Sequence, residues 1–352
     1  MNIYFLMKSI PADGCALITS DVNRRYFTGM KSSAGLLAVF HDTAYLLVDS
    51  RYIEKARETV DCAEVIELKA SVVQLKELLK KHNVSNVHIE SETMSVHEFH
   101  FYKSKFEEYH INDTDFLSNI INEMREVKSQ YEIYCIKKAQ EIAESAFGEM
   151  TKCRPNMTEW EFSRKLDWLM LEKGAESVSF ETIVLSGRNT SMPHGIPSNM
   201  PIGEGFLLVD FGAVVGGYHS DMTRTLCIGT PNYRMTQVYE TVLAAQEKAL
   251  KNAAAGKTGK QIDAYARSHI VNSGYGEYFG HSLGHGLGLE IHENPSLSEK
   301  NEKILKSGTV VTIEPGIYIP HEFGVRIEDT VILTNDGCVN LTKTEKNLII
   351  LH

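Results

Sequence analysis

Four carboxylates fall in a pattern that occurs twice. Residues 205–229, GFLLVDFGAVVGGYHSDMTRTLCIG, read as an apolar run, an acid, a glycine-containing loop, a second acid and a second apolar run. Residues 308–334, GTVVTIEPGIYIPHEFGVRIEDTVILT, read the same way, with Glu314 and Glu328 in the places of Asp210 and Asp221. An acid close to a buried segment is costly unless it is protonated, paired with a cation or bound to a metal. Each block reads as two strands joined by a turn-rich loop, so two such hairpins could bring four carboxylates together. Four anions cannot share a site without counter-charge, because like charges raise one another's pKa. Two divalent ions would supply that charge, and carboxylates favour hard ions such as Mn²⁺, Co²⁺ or Mg²⁺ over thiolate-loving ones. Taken singly, each acid is more simply a salt-bridge partner, a turn residue or a strand end. The repetition is what argues for a shared site.

Histidines add to the pattern. The stretch GHSLGHGLGLEIHENP, residues 280–295, carries His281, His285 and His292. Its glycines at 284, 286 and 288 let backbone or ligand come close to His285. One histidine in such a segment is more often structural. Three within twelve residues, interleaved with glycine and just ahead of the second acidic block, are harder to explain that way. A further histidine, His194, sits in SMPHGIPS, where proline and glycine fix a loop.

These side chains need a frame, and 352 residues suffice for one large or two medium domains. Residues 1 to about 120 read as a small α/β unit. Strands are expected over 15–20 and over 35–50, the latter folded back at residues 41–43. Helices are expected over 51–60 and 71–82, another strand over 86–91, and a helix-rich segment over 96–109. Asp49, Arg51 and Tyr52 sit at a strand end and suit surface or turn roles. Near residue 123 the character changes, which places one domain at 1–122 and a second at 123–352. Ser129 with Glu132, and Thr158 with Glu161, form capping boxes ahead of two helices. The first of these has Ile133, Ile136, Ala143 and Phe147 on one face, and the second stops at Gly174. Two more helices are expected over 232–256 and 260–271.

Composition sets outer limits. With 43% apolar and 23% charged residues the chain is an ordinary globular protein. A net charge of −10 argues against a nucleic-acid or anionic-membrane partner. The six cysteines are scattered, without a CxxC pair, which favours a reducing compartment. No signal peptide and no membrane-spanning run is read, so a cytoplasmic location is expected.

HGIPS, VDFGA, SDMTRT, GHGLGLEIHE, TIEPGIY and VRIEDT, in that order, resemble the metal-dependent pita-bread peptidases. That family includes methionine aminopeptidase, aminopeptidase P, prolidase and the non-metal enzyme creatinase. The likeness is strong over about residues 125–352. It is weaker over the N-terminal half, which is similar to the smaller domain of the aminopeptidase P and prolidase branch. The resemblance implies an α/β protein with a C-terminal pita-bread domain, a curved antiparallel sheet flanked by helices. A creatinase/prolidase-like α/β domain precedes it.

The resemblance also implies roles. Asp210, Asp221, His285, Glu314 and Glu328 match the ligands of a two-metal site. Asp221 and Glu328 match its bridging positions, Asp210 a ligand of one ion, and His285 with Glu314 ligands of the other. Such a set is consistent with Mn²⁺ or Co²⁺ and also accommodates Zn²⁺. His194 and His292 match catalytic-pocket histidines that bind substrate and stabilise an oxyanion. Glu314 also matches a proton shuttle, and Tyr318 and Arg326 fall on polar positions near the site. The implied activity is a two-metal exopeptidase cleaving Xaa-Pro bonds of proline-containing peptides, in a homodimer. In some prolidases an arginine that holds the substrate carboxylate directly follows HExP. Here HENPS puts Ser296 there, which favours an aminopeptidase over a dipeptidase. A creatinase-like hydrolase without metals, or a non-catalytic binding protein on the same fold, fits less well, because none of the five ligand positions is lost.

Overall fold

The structure, a computed structural model, describes residues 2–152 and 154–352, so Cys153 lies outside the described residues. The chain divides into two compact units, Met1–Arg125 and Glu126–His352. Among the described residues no helix is long and apolar enough to cross a membrane, and Cys15, Cys62, Cys227 and Cys338 are free thiols.

In the N-terminal unit six strands form one sheet. Their order is Glu64–Glu67, Ala44–Val48, Leu36–Val39, Gly14–Ile18, Asn86–Ile89 and His110–Asn112. The three central strands pair antiparallel and the outer pairings are parallel, as helical crossovers require. The expected hairpin over 35–50 is present, and both its strands are buried throughout. The helix Val96–Lys105 ends short of the expected 109. Phe106 leaves it to enter the core, where it is 1% exposed. The helix Phe116–Glu126 was not anticipated. Asp49 and Arg51 form a local ion pair at 2.7 Å, consistent with a turn role.

The C-terminal unit repeats one plan twice, a sheet with two helices on it. Helices Gln130–Met150 and Glu159–Glu172 pack on the strands Ile183–Ser186, Gly205–Phe211 and Met222–Ile228. Helices Tyr233–Asn252 and Gly259–Asn272 pack on a sheet that includes Val310–Ile313 and Asp329–Thr334. Both expected capping boxes form. A third, Thr258 with Gln261, starts the fourth helix.

The β-structure of this unit is not one ladder. Four- and five-stranded sheets are separate, with two small sheets between their arms. The two halves meet at a seam stitched largely by side chains. Glu328 N donates to Thr223 O at 3.1 Å, and Thr225 Oγ1 donates to Arg326 O at 2.9 Å. Buried Arg224 donates to Glu328 O at 2.6 Å and pairs with Asp329 at 2.8 Å. Both charges are 2% exposed or less, and a buried charge persists only when paired and hydrogen-bonded.

Candidate metal centre

The four acids sit where strands begin or end. Asp210 is the next-to-last residue of Gly205–Phe211 and lies opposite Thr223. Asp221 immediately precedes Met222–Ile228. Glu314 follows Val310–Ile313 and Glu328 precedes Asp329–Thr334, and the register Ile313↔Asp329 puts both acids at one end of their sheet. His285 occupies the middle of the short strand Gly284–Gly286. Its neighbour must be glycine, because a Cβ at Gly284 would overlap the Thr312 carbonyl.

These elements converge on a cavity of about 530 Å³, lined by all five residues together with His194, His281, His292, Ser296 and Arg326. One ligand atom each from Asp221, His285 and Glu328 lies within 4.8 Å of the others. His285 Nε2 stands 3.4 Å from Glu314 Oε1 and 3.6 Å from Asp221 Oδ2. Asp210 lines the same cavity with its Oδ2 held by Arg326 Nη2 at 2.6 Å.

Does this set suit a metal? His285 Nδ1 lies 3.1 Å from Gly286 O. A carbonyl only accepts, so the proton is on Nδ1 and the Nε2 lone pair faces the carboxylates. Burial, with His292 nearby, lowers the His285 pKa to about 4, so the ring is neutral at pH 7. Among the described residues Asp210 Oδ1 and Glu328 Oε1 are buried without a hydrogen-bond partner. Burial raises Glu314 to about 8, with Asp210 adding and Arg326 opposing. Burial and the neighbouring acids also push Asp221 and Glu328 well above the ordinary carboxyl range. Carboxyls gathered around a neutral imidazole lone pair at the cost of raised pKa values call for a cation in place of their protons, and the donors are those that hard divalent ions take. The residues therefore fit the group.

Two threonines hold these acids and the His285 main chain. Thr223 Oγ1 donates to Glu328 Oε2 at 2.7 Å and accepts from Arg326 Nε at 3.0 Å. Thr312 Oγ1 accepts from His285 N at 3.0 Å and donates to Glu314 Oε1 at 3.2 Å. Neither was singled out in the sequence, where a threonine in an apolar strand reads as a strand former.

The remaining residues fall into two groups. His194, in an exposed loop, and His292 both line the cavity. The His292 ring meets His285 edge-on at 4.4 Å between centroids. Tyr318 is buried and accepts from Arg326 Nη1 at 2.7 Å. His281 had no assigned role in the sequence, yet its Nε2 lies 3.1 Å from the Tyr318 hydroxyl. Its Nδ1 donates to Ser282 O at 2.8 Å. Nε2 must then accept, and Tyr318 donates to it. Burial pushes the Tyr318 phenol up to about 12, which keeps that proton in place.

The shifted carboxyls give the metal-free protein a pH signature. Glu314 unfolds to an ordinary carboxyl near 4.5 but holds its proton to about 8 in the fold. Between those values the unfolded chain has lost the proton and the folded chain has not, so stability falls as pH rises. The contribution is full below 4.5 and lost above about 8. In EDTA the unfolding temperature is expected to drop across this window, and metal addition at pH 7 should release protons. Calorimetry in buffers of different ionisation enthalpy reads the release; none detected would contradict the shifts.

Residues 134–335 match Metallopeptidase family M24, and residues 9–127 match the Creatinase/Prolidase N-terminal domain. The Xaa-Pro dipeptidase of Pyrococcus furiosus is 41% identical over 341 residues, 94% of each chain. The crystal structure of an X-Pro aminopeptidase from Thermotoga maritima superposes with a TM-score of 0.90 at 37% identity, covering 99% of both chains. An Xaa-Pro dipeptidase from Bacillus anthracis superposes with a TM-score of 0.94 at 36% identity, covering 99% of this chain and 98% of its own.

Proposed function

This chain belongs to metallopeptidase family M24, and from that premise we propose that it is a two-metal exopeptidase hydrolysing Xaa-Pro bonds. The resemblance read from the six motifs stands, and so does the two-part pita-bread architecture. The observation that carries the proposal is the His285 lone pair facing carboxyls at 3.4 and 3.6 Å in a cavity shared with His194 and His292. The Xaa-Pro specificity rests on the relatives, which include both dipeptidases and an aminopeptidase.

Asp210, Asp221, His285, Glu314 and Glu328 would hold the two ions, Mn²⁺ or Co²⁺ by preference. Bound there, the ions would balance the carboxylates and make water nucleophilic near neutral pH. Glu314 takes the proton from the attacking water and delivers it to the departing proline nitrogen. His194 and His292 hydrogen-bond the substrate and the oxygen on which charge develops. Arg326, on Asp210 and Tyr318, keeps one acid oriented from outside the ligand set. The homodimer and the cytoplasmic setting are carried as parts of the same reading.

Substrate length turns on Ser296. It lines the cavity and lies opposite His285 across the paired strands. The free carboxylate of a dipeptide substrate calls for a charged, two-pronged grip that serine cannot give. Among the described residues lining the cavity the one arginine or lysine is Arg326, already committed to Asp210 and Tyr318. We therefore favour an aminopeptidase. The dipeptidase names of close relatives support the second reading, in which a cation comes from elsewhere. With Mn²⁺ or Co²⁺, kcat/KM is expected to be higher for an Xaa-Pro-Yaa tripeptide than for the matching dipeptide. Ser296→Arg should shift the ratio toward the dipeptide. Strict dipeptide preference in the wild type would establish the second reading, and no Xaa-Pro cleavage with metal loaded would sink both.

A further inference from the structure

We propose that Arg267, locked to Asp263, is a positioning residue that sets His281 against Tyr318 in the cavity wall. The inference rests on the peptidase reading for its kinetic consequence, though not for its geometry. Asp263 and Arg267 lie one turn apart on the helix Gly259–Asn272. A pair at that spacing is ordinarily a surface contact of small value. This one is different. The Asp263 side chain is fully buried, and Arg267 clasps it twice, through Nε at 2.6 Å and Nη2 at 2.8 Å. Exposed Glu299 lies further off, 3.6 Å from Nε.

The pair also grips the main chain of the segment that carries His281. Arg267 Nη1 donates to Phe279 O at 3.1 Å and Nη2 donates to His281 O at 2.7 Å. Asp263 Oδ1 accepts from Leu283 N at 3.1 Å. The guanidinium lies 4.2 Å from the centre of the Phe279 ring, a cation–π contact. The main chain is thus pinned at alternate residues 279, 281 and 283, and His281, held through its own carbonyl, lines the cavity together with Ser282. From His281 the hydrogen bonds run to Tyr318, then Arg326, then Asp210. A pair that served stability alone would have no need of these two carbonyls and this amide. Arginine suits the task because one planar head can satisfy a carboxylate and two carbonyls together.

A double-mutant cycle tests the proposal. Arg267→Lys keeps a positive charge beside Asp263 but has one head, too few directions for all three partners. On an Xaa-Pro-Yaa peptide we expect His281→Ala to lower kcat/KM about a hundredfold and Arg267→Lys about tenfold. The double variant should fall within about twofold of His281→Ala alone, because coupled residues do not add. A crystal structure of Arg267→Lys should show the His281 Nε2 to Tyr318 Oη separation opened beyond about 3.5 Å. Losses that multiply would overturn the proposal. So would wild-type kcat/KM with only a lowered unfolding temperature, or an unchanged His281–Tyr318 distance. That distance is read without turnover, so a wild type inactive on every Xaa-Pro peptide would defeat the peptidase reading while leaving this one decidable. Should Arg267→Lys not fold, the neutral hydrogen-bonding pair Asp263→Asn with Arg267→Gln is read by the same two measurements.

Discussion

Asp221→Asn is expected to abolish hydrolysis and to strip the site of metal. The side chain is 6% exposed, its Oδ2 is 3.6 Å from His285 Nε2, and the main-chain carbonyl of Asp221 accepts from Thr330 Oγ1 at 2.8 Å. An amide of the same shape fills the space but cannot supply the charge assigned to a bridging ligand. Losing one oxyanion donor typically costs about 10²–10³ in rate; removing a shared ligand should cost more, at least about 10³. The substitution should also leave the metal-free protein more stable than the metal-free wild type. It removes one of several buried acids that raise one another's pKa. Elemental analysis and unfolding in EDTA measure both effects. Activity within tenfold of wild type, with two ions still bound, would mean that the ligand assignment is wrong.

His292→Ala should act differently: kcat falls by about 10²–10³ while metal content is retained. His292 touches His285 through an edge-on ring contact at 4.4 Å and lines the cavity, and its assigned role is to hold the substrate rather than the ions. The next residue, Glu293, forms a buried pair with Lys128 at 3.1 Å, with side chains 5% and 1% exposed. The loop should therefore keep its course when the imidazole is removed. Turnover with stoichiometric Mn²⁺, compared with metal retained after dialysis, separates the two outcomes. Metal loss in this variant would move His292 into the ligand shell.

The acids were readable because they break apolar runs. Asp221 leads into a strand of seven buried residues, so its charge had to be answered by something, and the same break recurs at Glu328. Helix starts were readable because capping is local chemistry, as Ser129 with Glu132 shows. What could not be read depends on partners distant in the chain. Thr223 and Thr312 look like any strand threonine until Glu328 and Glu314 arrive beside them. Asp263 and Arg267 look like a solvated helix pair until the 279–283 segment folds over them. Phe106 shows the same limit for the fold, since the pull that ends its helix is the core it enters.

The seam between the halves of the C-terminal unit has a polymer-physics consequence. Thr223 and Glu328, which meet across it, are 105 residues apart in sequence. Joining them closes a long loop, and the entropic cost of that closure grows only slowly with length. With two carboxylates from each side, ions bound across the seam would act as a reversible cross-link, absent from the unfolded chain. Its strength would rise with the logarithm of free metal concentration. Metal supply would then govern the lifetime of the folded chain against proteases as well as its turnover, and starvation for the ion would thin the enzyme's numbers as well as silence it.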